Sequence, residues 1–162
     1  MIKLQPIGDV DREVLNFLKD KLSDLFGDVK VLHAIAVPGE CYNSVRNQYN
    51  STCILKRLKP IRVTLGVTEV DLYAGFLNFV FGEAELNGSR AVISLYRLRY
   101  NADIDLLKIR ALKEAVHEIG HVLGLEHCTN RRCVMSFSNS VFEVDVKSHE
   151  FCERCLKKLG GL

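Results

Sequence analysis

The stretch His117–His127, HEIGHVLGLEH, constrains this chain more tightly than any other. On a helix, residues four apart share a face, so His117 and His121 project toward one point. Ala111, Ala115, Ile119 and Val122 fall on a different face, which leaves both imidazoles clear of the apolar stripe. A continuing helix would carry His127 roughly 80° around the axis and about 15 Å along it. The three histidines therefore converge only if the helix stops. Gly124 is where it can turn, because glycine adopts a positive φ without steric cost. The fold must then contain a long helix, a reversal at that glycine, and a return that brings His127 back.

Three neutral imidazole nitrogens suit zinc and leave one position for water, which is the pattern of a catalytic rather than a structural site. Iron or cobalt would accept the same donors. Glu118, next to the first histidine, is the expected general base. The expected reaction is hydrolysis of a peptide bond by zinc-activated water, with the proton passed through Glu118 to the leaving amine.

Six cysteines need an account, and four of them, Cys128, Cys133, Cys152 and Cys155, lie in the last 35 positions. One pair has four intervening residues and the other two, spacings common in structural zinc sites. Four thiolates leave no position for water, so this second site is expected to be inert, with His149 as an alternative donor. Cys128 directly follows His127, and neighbouring side chains of an extended segment point to opposite sides. The expectation is two zinc ions per chain, the sulfur site holding the catalytic geometry in place. Cys41 and Cys53 stand apart and read as buried or partly buried thiols.

The rest of the chain supplies a scaffold. Residues 2–7, 29–37 and 61–67 read as strands, with helices over 9–26 and 51–58 between them, and this alternation predicts a mostly parallel sheet. Residues 79–86 and 90–98 form a further strand pair joined through Asn87-Gly88, so it must be antiparallel, with 79–86 at an edge. The longest helix spans about 103–124, capped by Asn101 or Asp103. Beyond Leu125 the chain reads as irregular until a short helix near 152–159. The fold class expected is α/β (α+β), a single compact domain over residues 1–162 with a mixed, mainly parallel twisted sheet and an antiparallel edge strand. Residues 1–124 supply the sheet and active-site helix, and 125–162 a loop-rich part clipped by zinc.

HExxHxxGxxH followed by a downstream methionine is the metzincin signature. Here it runs directly into CTNRRCVM and then, past a spacer, CERC. That combination resembles the archaemetzincins, intracellular zinc metallopeptidases with a cysteine cluster fused to the histidine motif. The resemblance implies catalytic zinc ligands at His117, His121 and His127 and the acid/base at Glu118. It also implies a structural zinc on the four cysteines, and Met135 in a turn beneath the catalytic metal. Read alone, Met135 is a core gap-filler. Some other metzincins carry a tyrosine two residues past the methionine; Phe137 stands here and offers no hydroxyl. A backbone amide near the edge strand, or Asn139, would have to serve instead.

Composition narrows the remaining classes. About half of the 162 residues are apolar (48%) and the net charge is only +2, without the basic excess that nucleic-acid binding leaves. No apolar run reaches the roughly 20 residues of a membrane span. Met1 to Gly8 reads as a strand and not as a secretory signal, so a cytoplasmic protein is expected. The expected partner is a peptide or protein substrate, paired by strand addition to residues 79–86. Glu83 and Glu85 on that strand suit a basic side chain or a substrate amino terminus, or else they simply protect an exposed edge. A zinc-stabilised binding protein with little turnover, or a hydrolase of other bonds, would carry the same ligands.

Overall fold

The computed structural model describes residues 1–160. Along the chain run β1 (Ile2–Ile7), α1 (Arg12–Phe26), β2 (Val29–Val31), β3 (Tyr42–Asn43), β4 (Gln48–Asn50), α2 (Ser51–Leu55), β5 (Val63–Thr68) and β6 (Leu72–Tyr73). There follow β7 (Gly82–Ala84), β8 (Arg90–Ser94), α3 (Ile104–Val122), α4 (Val141–Val146) and α5 (Glu153–Lys158). The main sheet has the order β2-β1-β5-β8-β7. All its pairings are parallel except β7 with β8, so the antiparallel strand lies at an edge as the sequence predicts.

Both faces of the sheet are covered, most plainly at β8, where the consecutive Ala91, Val92 and Ile93 are all buried. Leu4, Leu65, Val67, Ala91 and Ile93 pack under α1 and α3. On the other face Ile7 and Val92 meet Ile54, Leu55 and Leu58 of the α2 region. Gly66, on the central strand, is needed for that second contact. A Cβ there would come within 2.9 Å of Ile7 Cδ1 and 3.1 Å of Leu58 Cδ1.

Helix ends follow local chemistry. The Asp11 side chain accepts from the Val14 amide at the start of α1, and Asp103, not Asn101, caps α3 by accepting from Leu106 N at 2.8 Å. At the far end of α3, Gly124 has φ +100°, its amide donates to His121 O, and Leu125 N donates to Gly120 O. This pair of bonds is a Schellman motif, which ends the helix and redirects the chain.

Several expectations differ from what is found. The strand expected over 29–37 is regular only to Val31. Pro6 of β1 lacks the N–H that would continue the ladder, although its carbonyl still accepts from Ile35 N. Asn87-Gly88 does not form a two-residue turn; the loop closes between Glu85 and Arg90, with Asn87 at φ +53°. Asn87 N then donates to His121 O, so this loop rests on the end of α3. The small sheet β3-β4-β6 and helix α4 were not expected, being too short for periodicity to reveal. Cys41 and Cys53, expected as thiols, are joined in a disulfide: a 3-10 turn over Gly39–Cys41 and the start of α2 bring their Cα atoms to 5.5 Å.

Removing that cross-link with Cys41→Ala/Cys53→Ala is expected to lower stability by about 2–3 kcal/mol, the cost of reopening a short loop. Urea unfolding under otherwise identical conditions measures it.

Candidate metal centres and the active-site cleft

The Schellman turn sets the first centre. By ending α3 at Val122, it exposes the Leu125 carbonyl to His121, whose Nδ1 lies 2.6 Å from it. His117 Nδ1 lies 2.7 Å from Val134 O in the same way. Each imidazole donates its Nδ1–H to a carbonyl, so the lone pair is left on Nε2. The two Nε2 atoms face each other at 3.1 Å. His127 returns with its ring centroid 4.8 Å from that of His121 and 5.3 Å from that of His117. One donor atom from each of the three histidines fits within 4.8 Å of the others. Tetrahedral zinc with bonds near 2.0–2.1 Å asks for donor separations of about 3.3 Å, so the residues present suit this ion.

Burial tunes these groups. It holds His117 well below the usual histidine range, aided by the positive charge of Lys147, and it lowers His121 and His127 as well. Neutral nitrogens are the form a metal needs. Burial pushes Glu118 well above the usual carboxylate range, and the nearby charge of Glu114 pushes it further. A carboxylate raised in this way is a stronger base.

Glu118 and the three histidines line an open cleft of about 740 Å³, bounded on one side by residues 77–84 and on the other by Phe137, Ser138 and Asn139. The outer edge of β7 is unpaired in the main sheet. Glu83 and Glu85, candidates for binding a basic group, are otherwise engaged: Glu83 with the Ser51 and Thr52 hydroxyls, Glu85 with Arg90. Phe137 packs against His127 with the rings tilted, centroids 5.1 Å apart.

The second centre is sulfur only. Cys128 and Cys152 have their Sγ atoms 3.8 Å apart, and Cys133 and Cys155 theirs at 3.7 Å. All four sulfurs lie within 4.8 Å of one another, and His149 is not among them. Zn–S bonds of 2.3 Å on a tetrahedron require about 3.8 Å between sulfurs, so zinc fits here too. Burial raises the Cys155 thiol. It also pushes Cys128 up, but hydrogen bonds from the Asn130 backbone and the Arg154 guanidinium outweigh it and bring that thiol down to about 7. The two centres share backbone, since Cys128 N donates to Met135 O.

Four further residues bear on the site, Gly82 and Glu114 from the cleft wall and Gly120 and Lys147 from behind it, and none was singled out from the sequence. Gly82 is one: a Cβ there would come within 2.8 Å of Glu118 Oε1 and 2.6 Å of Val92 O. A glycine inside a strand pattern was the available signal. Gly120 is the second, since a Cβ would meet the buried Met135 Sδ at 2.4 Å. The others are Glu114, one turn before Glu118, and Lys147. Lys147 Nζ lies 2.9 Å from Glu114 Oε1, an ionic contact too oblique for a hydrogen bond, and donates to Ser136 O at 3.2 Å. Their side chains are 1% and 4% exposed, so this is a fully enclosed ion pair joining α3 to the turn after Met135. Nothing in the sequence distinguishes Lys147 from a surface lysine.

The chain matches the model of peptidase family M54 over residues 10–160. It belongs to that family. It is 58% identical to the archaemetzincin of Methanocaldococcus jannaschii over 164 residues, covering 98% of this chain and 92% of that one. The crystal structure of the archaemetzincin from Archaeoglobus fulgidus, complexed with malonate, superposes with a TM-score of 0.92 at 53% identity, covering 98% of this chain and 99% of that one. A zinc-dependent peptidase from Methanocorpusculum labreanum has a TM-score of 0.89 at 30% identity, over 98% of this chain and 100% of that one. As a member of M54 the chain is a zinc metallopeptidase, a hydrolase of peptides or proteins. Among the described residues no helix is long and apolar enough to cross a membrane.

Lys147→Met leaves the Glu114 charge buried without a partner and is expected to cost about 3–5 kcal/mol; Lys147→Met/Glu114→Leu, which removes both charges, should recover most of it. Urea titration of the two variants measures the difference. Gly120→Ala is expected to destabilise by about 1–3 kcal/mol despite the better helix propensity of alanine, because Met135 must move. Thermal unfolding is the check.

Proposed function

We propose that this peptidase holds two zinc ions, a catalytic one on His117, His121 and His127 and a structural one on Cys128, Cys133, Cys152 and Cys155, with Glu118 as general base. The observation that carries the reading is the pair of carbonyls accepting from the Nδ1–H groups of His117 and His121. It leaves two Nε2 lone pairs converging beside Glu118 in an open cleft. Zinc bound at the histidines supplies a Lewis acid that polarises the scissile carbonyl and acidifies water. Everything else falls to the chain. Glu118, its carboxyl raised by burial, takes the proton from the attacking water and returns it to the leaving amine. The free edge of β7 offers backbone donors and acceptors to an extended peptide.

On this reading the chain works as one catalytic unit: residues 1–124 bring the sheet and helix, and 125–162, of which 161–162 lie outside the described residues, bring the methionine turn and sulfur cluster. Met135, fully buried against Gly120, underlies the histidines as a packing residue and not as a ligand. A net charge of +2 supports a peptide rather than a nucleic-acid partner. Four cysteines left unpaired with one another support a cytoplasmic setting, while the Cys41–Cys53 disulfide weighs against one that is uniformly reducing.

Metal analysis of the purified protein should find two equivalents of zinc, one of them released first by a chelator. A diverse peptide mixture, followed by mass spectrometry, should be cleaved by the wild type, and by Glu118→Ala at least about a hundredfold more slowly. Equal cleavage by the two removes Glu118 as the base. Cys152→Ser should lose the tightly held zinc and weaken the catalytic one with it. Unchanged activity in that variant refutes the link between the centres.

A further inference from the structure

The edge strand that borders the cleft is held from behind. Side chains alternate along β7, so while Gly82 faces Glu118, the Glu83 side chain points to the opposite side of the sheet. There it meets the first turn of α2. Thr52 Oγ1 lies 2.8 Å from one carboxylate oxygen of Glu83 and 3.0 Å from the other, and the Ser51 hydroxyl donates to the same group. Ser51 is fully buried, and its one hydroxyl proton is shared between Glu83 and Tyr73 O, 3.1 Å away, which brings β6 into the same contact. The next residue in α2 is Cys53, and the disulfide fastens it to Cys41 in the preceding turn. Asn50 caps the helix by accepting from Cys53 N at 2.8 Å. The grip on Glu83 is therefore anchored covalently within a five-residue helix that would have little stability alone.

The opposite side of the strand has no slack. Gly82 lies so close to Glu118 that even a methyl group would collide with the carboxylate. A small shift of β7 toward α3 would displace Glu118, and a shift away would separate the peptide-pairing edge from the histidines. Misplacements of about 1 Å at a reacting centre can cost a hundredfold in rate.

We infer that Glu83 is a positioning residue: gripped by Ser51 and Thr52 on a helix fastened by the Cys41–Cys53 disulfide, its carboxylate fixes the height of the edge strand over Glu118. It is no metal ligand, and although it borders the cleft, its carboxylate is engaged by the two hydroxyls. Hydrogen bonding holds the strand in place, so glutamine, which retains an acceptor for one hydroxyl and a donor for the other, substitutes for it in that role. The consequence for catalysis rests on the peptidase reading given above; the position of the strand does not.

Hydrogen exchange on the zinc-loaded protein, followed by mass spectrometry over residues 79–86, reads the strand directly. Glu83→Ala should speed exchange there at least about tenfold, Ser51→Ala/Thr52→Val should do the same, and Glu83→Gln should stay within about twofold of wild type. Cys41→Ala/Cys53→Ala should speed exchange over 51–55 and 79–86 together. With the peptide from the mixture that is cleaved fastest, Glu83→Ala should raise KM about tenfold with its zinc content unchanged, and Glu83→Gln should restore it. The proposal is overturned if Glu83→Gln behaves like Glu83→Ala, or if the alanine and Ser51/Thr52 variants leave exchange over 79–86 unchanged. Should the wild type cleave no peptide, the peptidase reading fails, and the exchange comparison still decides the role of Glu83.

Discussion

Two backbone carbonyls, those of Val134 and Leu125, decide the chemistry of the histidine centre. By accepting from the Nδ1–H groups they select one tautomer for His117 and His121 and point both Nε2 lone pairs inward. Each carbonyl is where it is for a reason that can be traced. Leu125 follows the glycine turn that ends α3. Val134 sits one residue before Met135, in a segment held by Cys133, by the bond from its own amide to Glu150 O, and by Lys147 on Ser136 O. The histidines thus inherit their orientation from the helix end on one side and from the sulfur-bound segment on the other.

The two centres are consequently not independent modules. Cys128 is bonded to His127 in sequence and to Met135 through its amide, so the sulfur cluster and the imidazoles share the same few peptide units. The enclosed Lys147–Glu114 pair adds a third tie between α3 and the chain after the methionine. A long, loop-rich segment with little core of its own is in this way held at several points.

Much of this was legible in the sequence because it depends on spacing. The histidines four apart, the glycine that ends their helix and the cysteine pairs each encode a distance, and local geometry realises it. The mainly parallel character of the main sheet followed from alternating strands and helices, and the edge strand β7 from the one pair that had to be antiparallel. What stayed hidden depends on contacts between distant segments. The disulfide joins cysteines in a loop and a short helix that no periodicity marks. Lys147 is buried only because α4 folds over α3, and lysine carries no sign of that in its sequence neighbours. Glu83 read either as a partner for a basic substrate group or as a solvated edge charge, since nothing near residue 51 announces that two hydroxyls will reach it. Gly82 alone among these carried a readable hint.

The coexistence of one disulfide with a four-sulfur cluster bears on how the chain matures. Six thiols can be paired completely in fifteen ways. An ion seated early on Cys128, Cys133, Cys152 and Cys155, as proposed, would withdraw those four from exchange and leave a single pairing for an oxidant to make. Metal supply would then govern the fidelity of bond formation at the opposite face of the sheet, some seventy residues upstream.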